Sequence, residues 1–359
     1  MGRKQWIPEN FYWSTVLKLK IMRLLNFLGA IIILSIVLGG CRSSVSADVD
    51  LSGVDIDMRL MHFERDLFGV DPGKLKDTIP FLRSQYGEFF DLFSYKVIRI
   101  GSPDNPSYPS YLLSFVTDYN INKVKHVVDS TFRDFDTIYG QRLENLFRHF
   151  RYYFPKSPVP VVITYISGFN QSMVTTDTIL GIALDKYLGG KSPFYGMLGL
   201  PRYLRMRMYP EYIPADAAKA WLVTQFPLND SIANTLLAHV IYEGKLIYSA
   251  KRLLPGEADT LVFGLSSQQI QWCQKYEAPM WEYLLDKKLL FSSDFQVIKR
   301  FVDEGPFTKD FGQRSPGRAV IWIGYRIIER YMKNSDATLV DLMNENDMNK
   351  ILRISKYKP

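Results

Sequence analysis

Four places in this chain carry residue types at spacings that could do chemistry. In TLLAHVIYEGKLIY, His239 and Glu243 stand four apart, one turn along the same face of a helix. Such a pair is either two ligands of a metal ion or a satisfied polar pair in which the imidazole donates to the carboxylate. Zinc takes three protein ligands in a catalytic centre and four in a structural one. No third ligand stands nearby and His-Glu-x-x-His occurs nowhere, so no metal is expected there. Gly189-Gly190-Lys191-Ser192 ends like a phosphate loop, but Asp185 occupies the position of its first glycine and Pro193 interrupts the helix that should follow. Tyr203, Arg205, Arg207, Tyr209 and Tyr212 alternate rings with guanidiniums. That pattern suits an anionic partner, or cation–π packing within the chain with the arginines paired to carboxylates. A Gly-x-Ser-x-Gly elbow is absent, and Cys273 has no histidine beside it. His62, His126 and His149 sit among charged residues and read as surface or capping groups.

The fourth place is Cys41. Arg23 precedes an apolar run from Leu24 to Leu38, which ends in Gly39-Gly40-Cys41. This is the grammar of a secretory signal closing on a lipobox: small residues seat the chain in a peptidase, and the cysteine sulfur takes a diacylglycerol as nucleophile. A transmembrane anchor is the alternative, but the run falls short of the ~20 residues that span a bilayer. Met22 is then the plausible start, residues 1–40 an extension and signal, and 41–54 a lipidated tether. Two or more acyl chains on Cys41 give a stable membrane anchor. Arg42 is not the acidic residue associated with inner-membrane retention, so we expect the outer membrane, facing the periplasm.

The net charge of +7 belongs largely to that leader. Five of the 44 basic and one of the 37 acidic residues lie in 1–40, which leaves 39 against 36. Nothing in this balance asks for nucleic acid. Cys273 is the one thiol left beyond Cys41, so a disulfide within the mature chain is excluded. Aromatic residues, 14% of the chain, must therefore supply much of the core.

Several elements must position these residues. Ile56, Leu60, Phe63 and Leu67 recur at helical spacing, and 74–93 reads as a second helix. After a Gly/Pro/Ser loop at 101–110, 122–154 reads as helix in two pieces. Val159 to Ile166 is β-branched and follows Pro155 and Pro158, which predicts a strand. Met173 to Leu184 reads as two short strands or one bent at Gly181. Helices are predicted over 215–226, over 232–254 with Asp230 or Ser231 as cap, over 266–290, 294–302 and 319–332, and from Thr338 to about Asn346. The fold class is α+β, predominantly helical with a small sheet, and 55–359 reads as one globular domain.

The ordered segments carry a family likeness. The chain resembles the gliding motility lipoproteins of the GldB family of Bacteroidetes over essentially its whole mature length. The matching marks are the lipobox, RLMHFERDLF (59–68), YYFPKSPVPVVITYISGFN (152–170), TILGIALDKYLGG (178–190) and MYPEYIPADAAKAWL (208–222). IYEGKLIYSAKRLLP (241–255), DEGPFT (303–308), SPGRAVIWIGYRIIERYM (315–332) and the closing ILRISKYKP complete them. The resemblance implies an envelope lipoprotein that works beside the type IX secretion machinery in gliding. It also implies distant kinship to zincin metallopeptidases, whose His-Glu-x-x-His helix follows an edge strand and whose third ligand is a later glutamate. Here 215–226 holds no His or Glu, so Glu243 alone would remain as a relic ligand. The implied protein is a non-catalytic scaffold or assembly factor without cofactor, which captures a partner by strand addition along 179–184. A metal-dependent peptidase-like enzyme using His239 and Glu243 is the competing class. A lipid- or glycan-binding module built on Tyr203, Arg205 and Arg207 is the third.

Overall fold

The β-branched run after Pro158 forms the centre of a four-stranded sheet. In this computed structural model, which describes residues 49–229 and 231–359, the strands are β1 (Leu60–His62), β2 (Val161–Tyr165), β3 (Met173–Thr175) and β4 (Ile179–Ala183). Cys41, the leader and Asp230 lie outside the described residues. The sheet order is β1-β2-β4-β3. Leu60 aligns with Val162 and Val161 with Ile179 in parallel pairs, while β3 runs antiparallel to β4 with Val174 opposite Gly181.

This arrangement corrects two expectations and decides between the two alternatives left open for a third. Leu60–His62 is a strand rather than part of a helix, because its backbone pairs with β2 and helix α1 (Phe63–Gly69) starts only after it. The segment Met173 to Leu184 is two strands, and Gly181 is no bend: a Cβ there would lie 2.6 Å from Val174 Cγ2 and 3.0 Å from the Phe89 ring. Most consequentially, β4 is paired on both sides, so residues 179–184 offer no edge for an added strand.

Alternate residues of each strand leave the sheet on opposite faces. Ile163, Tyr165, Ile179 and Ala183 join an aromatic cluster built on Phe63, Phe89, Phe90 and Phe93. The Phe63 ring lies edge-on to Tyr86 and Phe93, with centroids 4.8 Å apart in each case. α1, α2 (Leu75–Tyr86), the short helix Glu88–Leu92 and α3 (Tyr108–Thr117) carry this cluster. Gly87 breaks the predicted helix over 74–93 in two.

Val162, Leu180 and Ile182 face the larger core. There α4 (Tyr119–Thr131), α5 (Gln141–Tyr153), α6 (Ile213–Gln225) and α7 (Leu236–Leu253) pack with α8 (Ser267–Lys275), α9 (Glu277–Asp286) and α10 (Phe295–Val302). α11 (Val320–Lys333), α12 (Leu339–Asn344) and the terminal α13 (Met348–Ser355) complete it. Residues Val49–Pro359 make one unit. None of the described helices is long and apolar enough to cross a membrane. α7 starts four residues later than expected, at Leu236, because the Thr235 hydroxyl accepts from the Ala238 N–H and caps it. α13 has its own Asp347 cap, so the chain ends on a helix beyond the one predicted to close near Asn346.

Two histidines also depart from expectation. His149 is buried on the core side of α5, its ring held by the Asn145 carbonyl at 2.8 Å. His62 bridges Thr164 and Asp136, at 2.8 and 2.9 Å, and so ties β1 to β2 and to the turn before α5.

α7 and α11 cross at Gly244 and Gly324 with almost no space between backbones. A Cβ on Gly324 would stand 1.9 Å from the Val240 carbonyl oxygen, and one on Gly244 2.3 Å from the Gly324 carbonyl. In an exposed helix, Gly→Ala stabilises by about 1 kcal/mol. Here the sign should reverse: we expect Gly324→Ala to destabilise the protein by about 3 kcal/mol, since backbone rather than a pliable side chain must move. Urea denaturation of the variant decides it, and a raised midpoint would contradict the crossing.

Candidate functional site

The relic candidate Glu243 stands one residue before the Gly244 crossing, and Arg318 stands at the entry to α11. The loop feeding α11 is fastened from within. The Thr308 hydroxyl donates to the Pro316 carbonyl and accepts from the Ala319 N–H, while the Ser315 hydroxyl accepts from the Thr308 N–H. DEGPFT and SPGR, ordinary Gly/Pro loops in sequence, thus become a rigid mount for Glu304 and Arg318.

From there a chain of alternating charges runs across α7, the entry to α11, α6 and two loops. Arg318 Nη2 is 2.7 Å from Glu243 Oε1, and Arg318 Nη1 is 3.0 Å from Glu304 Oε1. Arg207 Nη1 reaches the same Glu304 oxygen at 3.0 Å, and its Nη2 stands 3.5 Å from Asp216 Oδ1 on α6. The buried Tyr187 hydroxyl donates to Asp216 Oδ2 at 3.0 Å and ends the chain. Gly264 lies against the Arg207 guanidinium with φ +66°, where a Cβ would be 2.8 Å from Nε, so only glycine admits that approach.

Lys219, one turn along α6 from Asp216, enters the same field. Burial and the nearby Arg207 push its ammonium down to about 8, against the pull of Asp216 and Glu243. Burial pushes the Glu304 carboxyl up, but Arg207 and Arg318 together hold it below the usual carboxylate range. Three cations, Arg207, Lys219 and Arg318, thus balance three anions, Asp216, Glu243 and Glu304. Two small cavities share Arg207 and Glu304 in their walls. One of about 90 Å³ is also lined by Tyr203, Gly264 and Arg318, and one of about 180 Å³ by Lys186, Tyr187, Leu204 and Asp216.

The two sequence candidates Glu243 and Arg207 therefore belong to one site, with Tyr203 on its rim. His239 does not: its Nε2 is 3.2 Å from the Ala233 carbonyl, while Glu243 turns to Arg318. The expected imidazole–carboxylate pair is not formed, because a full cation reaches the carboxylate from another helix. Among the described residues no group of three or more His, Cys, Asp or Glu side chains could hold a metal ion. Arg205 lies outside the network, its guanidinium beside Gly196 and its carbonyl packed on Gly190. That packing, with the Tyr209 ring against the same glycine, is what Gly189-Gly190 serves. The connector follows the intramolecular alternative at Arg207 and departs from it at Arg205. Asp216, Lys219, Glu304 and Arg318 were missed, although Asp216 and Lys219 share a helix face by their spacing.

A lysine whose folded-state value lies below its unfolded one binds fewer protons when folded. Stability should therefore climb between about pH 8, the folded value, and the unfolded value of 10.5. The slope is at most about 1.4 kcal/mol per pH unit for each such lysine. Lys245, pushed down to about 8 by burial, adds to the same rise. We expect Lys219→Met to remove one lysine's share of the climb, read as the difference between variant and parent in denaturant midpoints from pH 8 to 10. Equal slopes would place the Lys219 ammonium in water.

The family model described as gliding motility protein GldB matches residues 44–359. No curated protein matches the chain, and no solved structure matches it. The matched stretch contains every element and every charged residue of the site described above, and the chain belongs to the GldB family of gliding motility proteins, lipoproteins of the cell envelope.

Proposed function

We propose that this protein is a non-catalytic assembly factor of the gliding and type IX secretion machinery, anchored by an acylated Cys41 in the outer membrane and facing the periplasm. Its globular part is read as a zincin-like scaffold that no longer carries a metal centre. The observation that carries this reading is the fate of Glu243. Its carboxylate lies 2.7 Å from Arg318 and belongs to a charge-balanced chain, so it serves as a structural counter-ion. A general base or metal ligand needs a free lone pair directed at substrate or ion. Here Oε1 is turned to the Arg318 guanidinium. In place of the histidines that the resemblance would require, α6 presents Asp216 and Lys219, and Asp216 is itself engaged by Arg207 and Tyr187. Such a network fixes three helices and two loops relative to one another, as a binding scaffold requires.

Glu243→Gln separates this reading from the enzyme. The amide still accepts from Arg318, so a scaffold keeps its shape while a base or ligand is abolished. In a gliding strain deleted for the gene, we expect Glu243→Gln to restore gliding to within about twofold of the parent, and the purified parent to hold far less than one metal per chain by mass spectrometry. One zinc per chain, lost in the variant together with gliding, would overturn the proposal. Cys41→Ser tests the anchor: the protein should leave the membrane fraction and lose metabolic labelling by a palmitate analogue.

A further inference from the structure

Residues 186–209 form a lobe that the charge network does not explain. Between Asp185 and Glu211 the sequence has five Lys or Arg and no carboxylate. The lobe is held at its base. The Tyr195 hydroxyl donates to the Asp185 carbonyl and accepts from the Leu188 N–H, and the Gly189 N–H donates to the Met208 carbonyl across the two legs. Two helical turns, Pro193–Met197 and Arg202–Arg205, lie between, joined through Gly199 at φ +66°. This fold-back leaves part of its apolar surface in water, although Tyr187, Tyr195 and Met208 are buried. Met197 is 75% exposed, Leu198 50% and Met206 46%. Of its five cations, Arg207 is spent on Glu304 and Asp216, and Lys186 donates to the Phe169 carbonyl. Lys191, Arg202 and Arg205 enter no ion pair among the described residues, and the first two are exposed.

We propose that this lobe seats on a lipid bilayer bearing anionic headgroups, with Met197 and Leu198 entering the headgroup–acyl boundary and Lys191, Arg202 and Arg205 meeting phosphates. Unbranched and γ-branched apolar tips beside unpaired cations match an interface that is apolar below and anionic above. Charge complementarity selects this occupant. A saccharide would need ring faces at the tip, where the lobe offers Met and Leu. The lobe also walls both small cavities, through Tyr203, Arg207 and Leu204, so its seating sets the cleft at the membrane surface. The inference does not depend on Cys41, and its test keeps the two apart.

The test uses the full chain reconstituted in vesicles of phosphatidylglycerol and phosphatidylcholine with brominated acyl chains. A fluorescent dye is placed on Met197→Cys, or on Phe295→Cys, where Phe295 is 68% exposed beside Asp294. Cys273 stays silent because it is buried, with its thiol pushed up to about 12, and the unsubstituted chain gives the background from Cys41. We expect bromine quenching at 197 and none at 295, with a drop of at least fivefold when Lys191→Glu and Arg202→Glu are combined. Vesicle-bound protein with the 197 dye no more quenched than the 295 dye would overturn the proposal, as would quenching unchanged by charge reversal or protection of 197 that needs envelope proteins. Protein that leaves the vesicles altogether, yet regains quenching at 197 when anionic lipid is raised, would sink the acyl anchor and support the lobe.

Discussion

The backbone-to-backbone contact of α7 and α11 at Gly244 and Gly324 is the constraint on which the rest depends. Two helices normally stand 8–10 Å apart, separated by side chains. Removing both Cβ atoms lets them close until one backbone fills the space of the other's side chain. Glu243 precedes one glycine directly, and Arg318 lies less than two turns before the other. The distance between their charged ends is therefore a consequence of the crossing, and a pair at 2.7 Å tolerates little slack in it. Glu304, Arg207 and Asp216 follow in turn, each placed by its partner.

A balanced charge chain of this kind is a poor source of net stability, because each ion gives up water to gain its partner. Its effect is on geometry. Removing one member leaves the next one unpaired in a partly buried site, so the members favour a single arrangement of α6, α7, α11 and the connector. Lys219 shows the cost plainly: burial above all depresses its value, two arginines add to that, and two carboxylates hold it.

Much of the fold can be read from local pattern. β2 is marked by β-branching after proline, α11 by its apolar face and α12 by the Thr338 cap. Failures came where a tertiary partner decided the state. Leu60–His62 has helical spacing toward Phe63 and Leu67, yet β2 claims its backbone. Between two strands and one bent at Gly181, local pattern could not choose, and the Val174 and Phe89 side chains packed on that glycine belong to the two-strand answer. At the site, the i,i+4 spacing of His239 and Glu243 was correct and its meaning was not, since spacing says which residues share a face and nothing of what arrives opposite. Arg318 and Glu304, in loops without periodicity, have no signal of proximity to Glu243 in a single sequence.

The sheet has a consequence for how the molecule comes into being. Its β1 strand pairs Leu60 with Val162, and β2 pairs Val161 with Ile179, so neither register can form until more than a hundred residues beyond Leu60 are available. Closing so long a loop is slow compared with forming the helices in between. A chain delivered amino end first therefore holds Phe63, Phe89 and Phe90 without the Ile163 and Tyr165 side chains that cover them in the finished protein. During that interval the aromatic cluster is a ready target for holding chaperones, and the handover time is set by the emergence of β4.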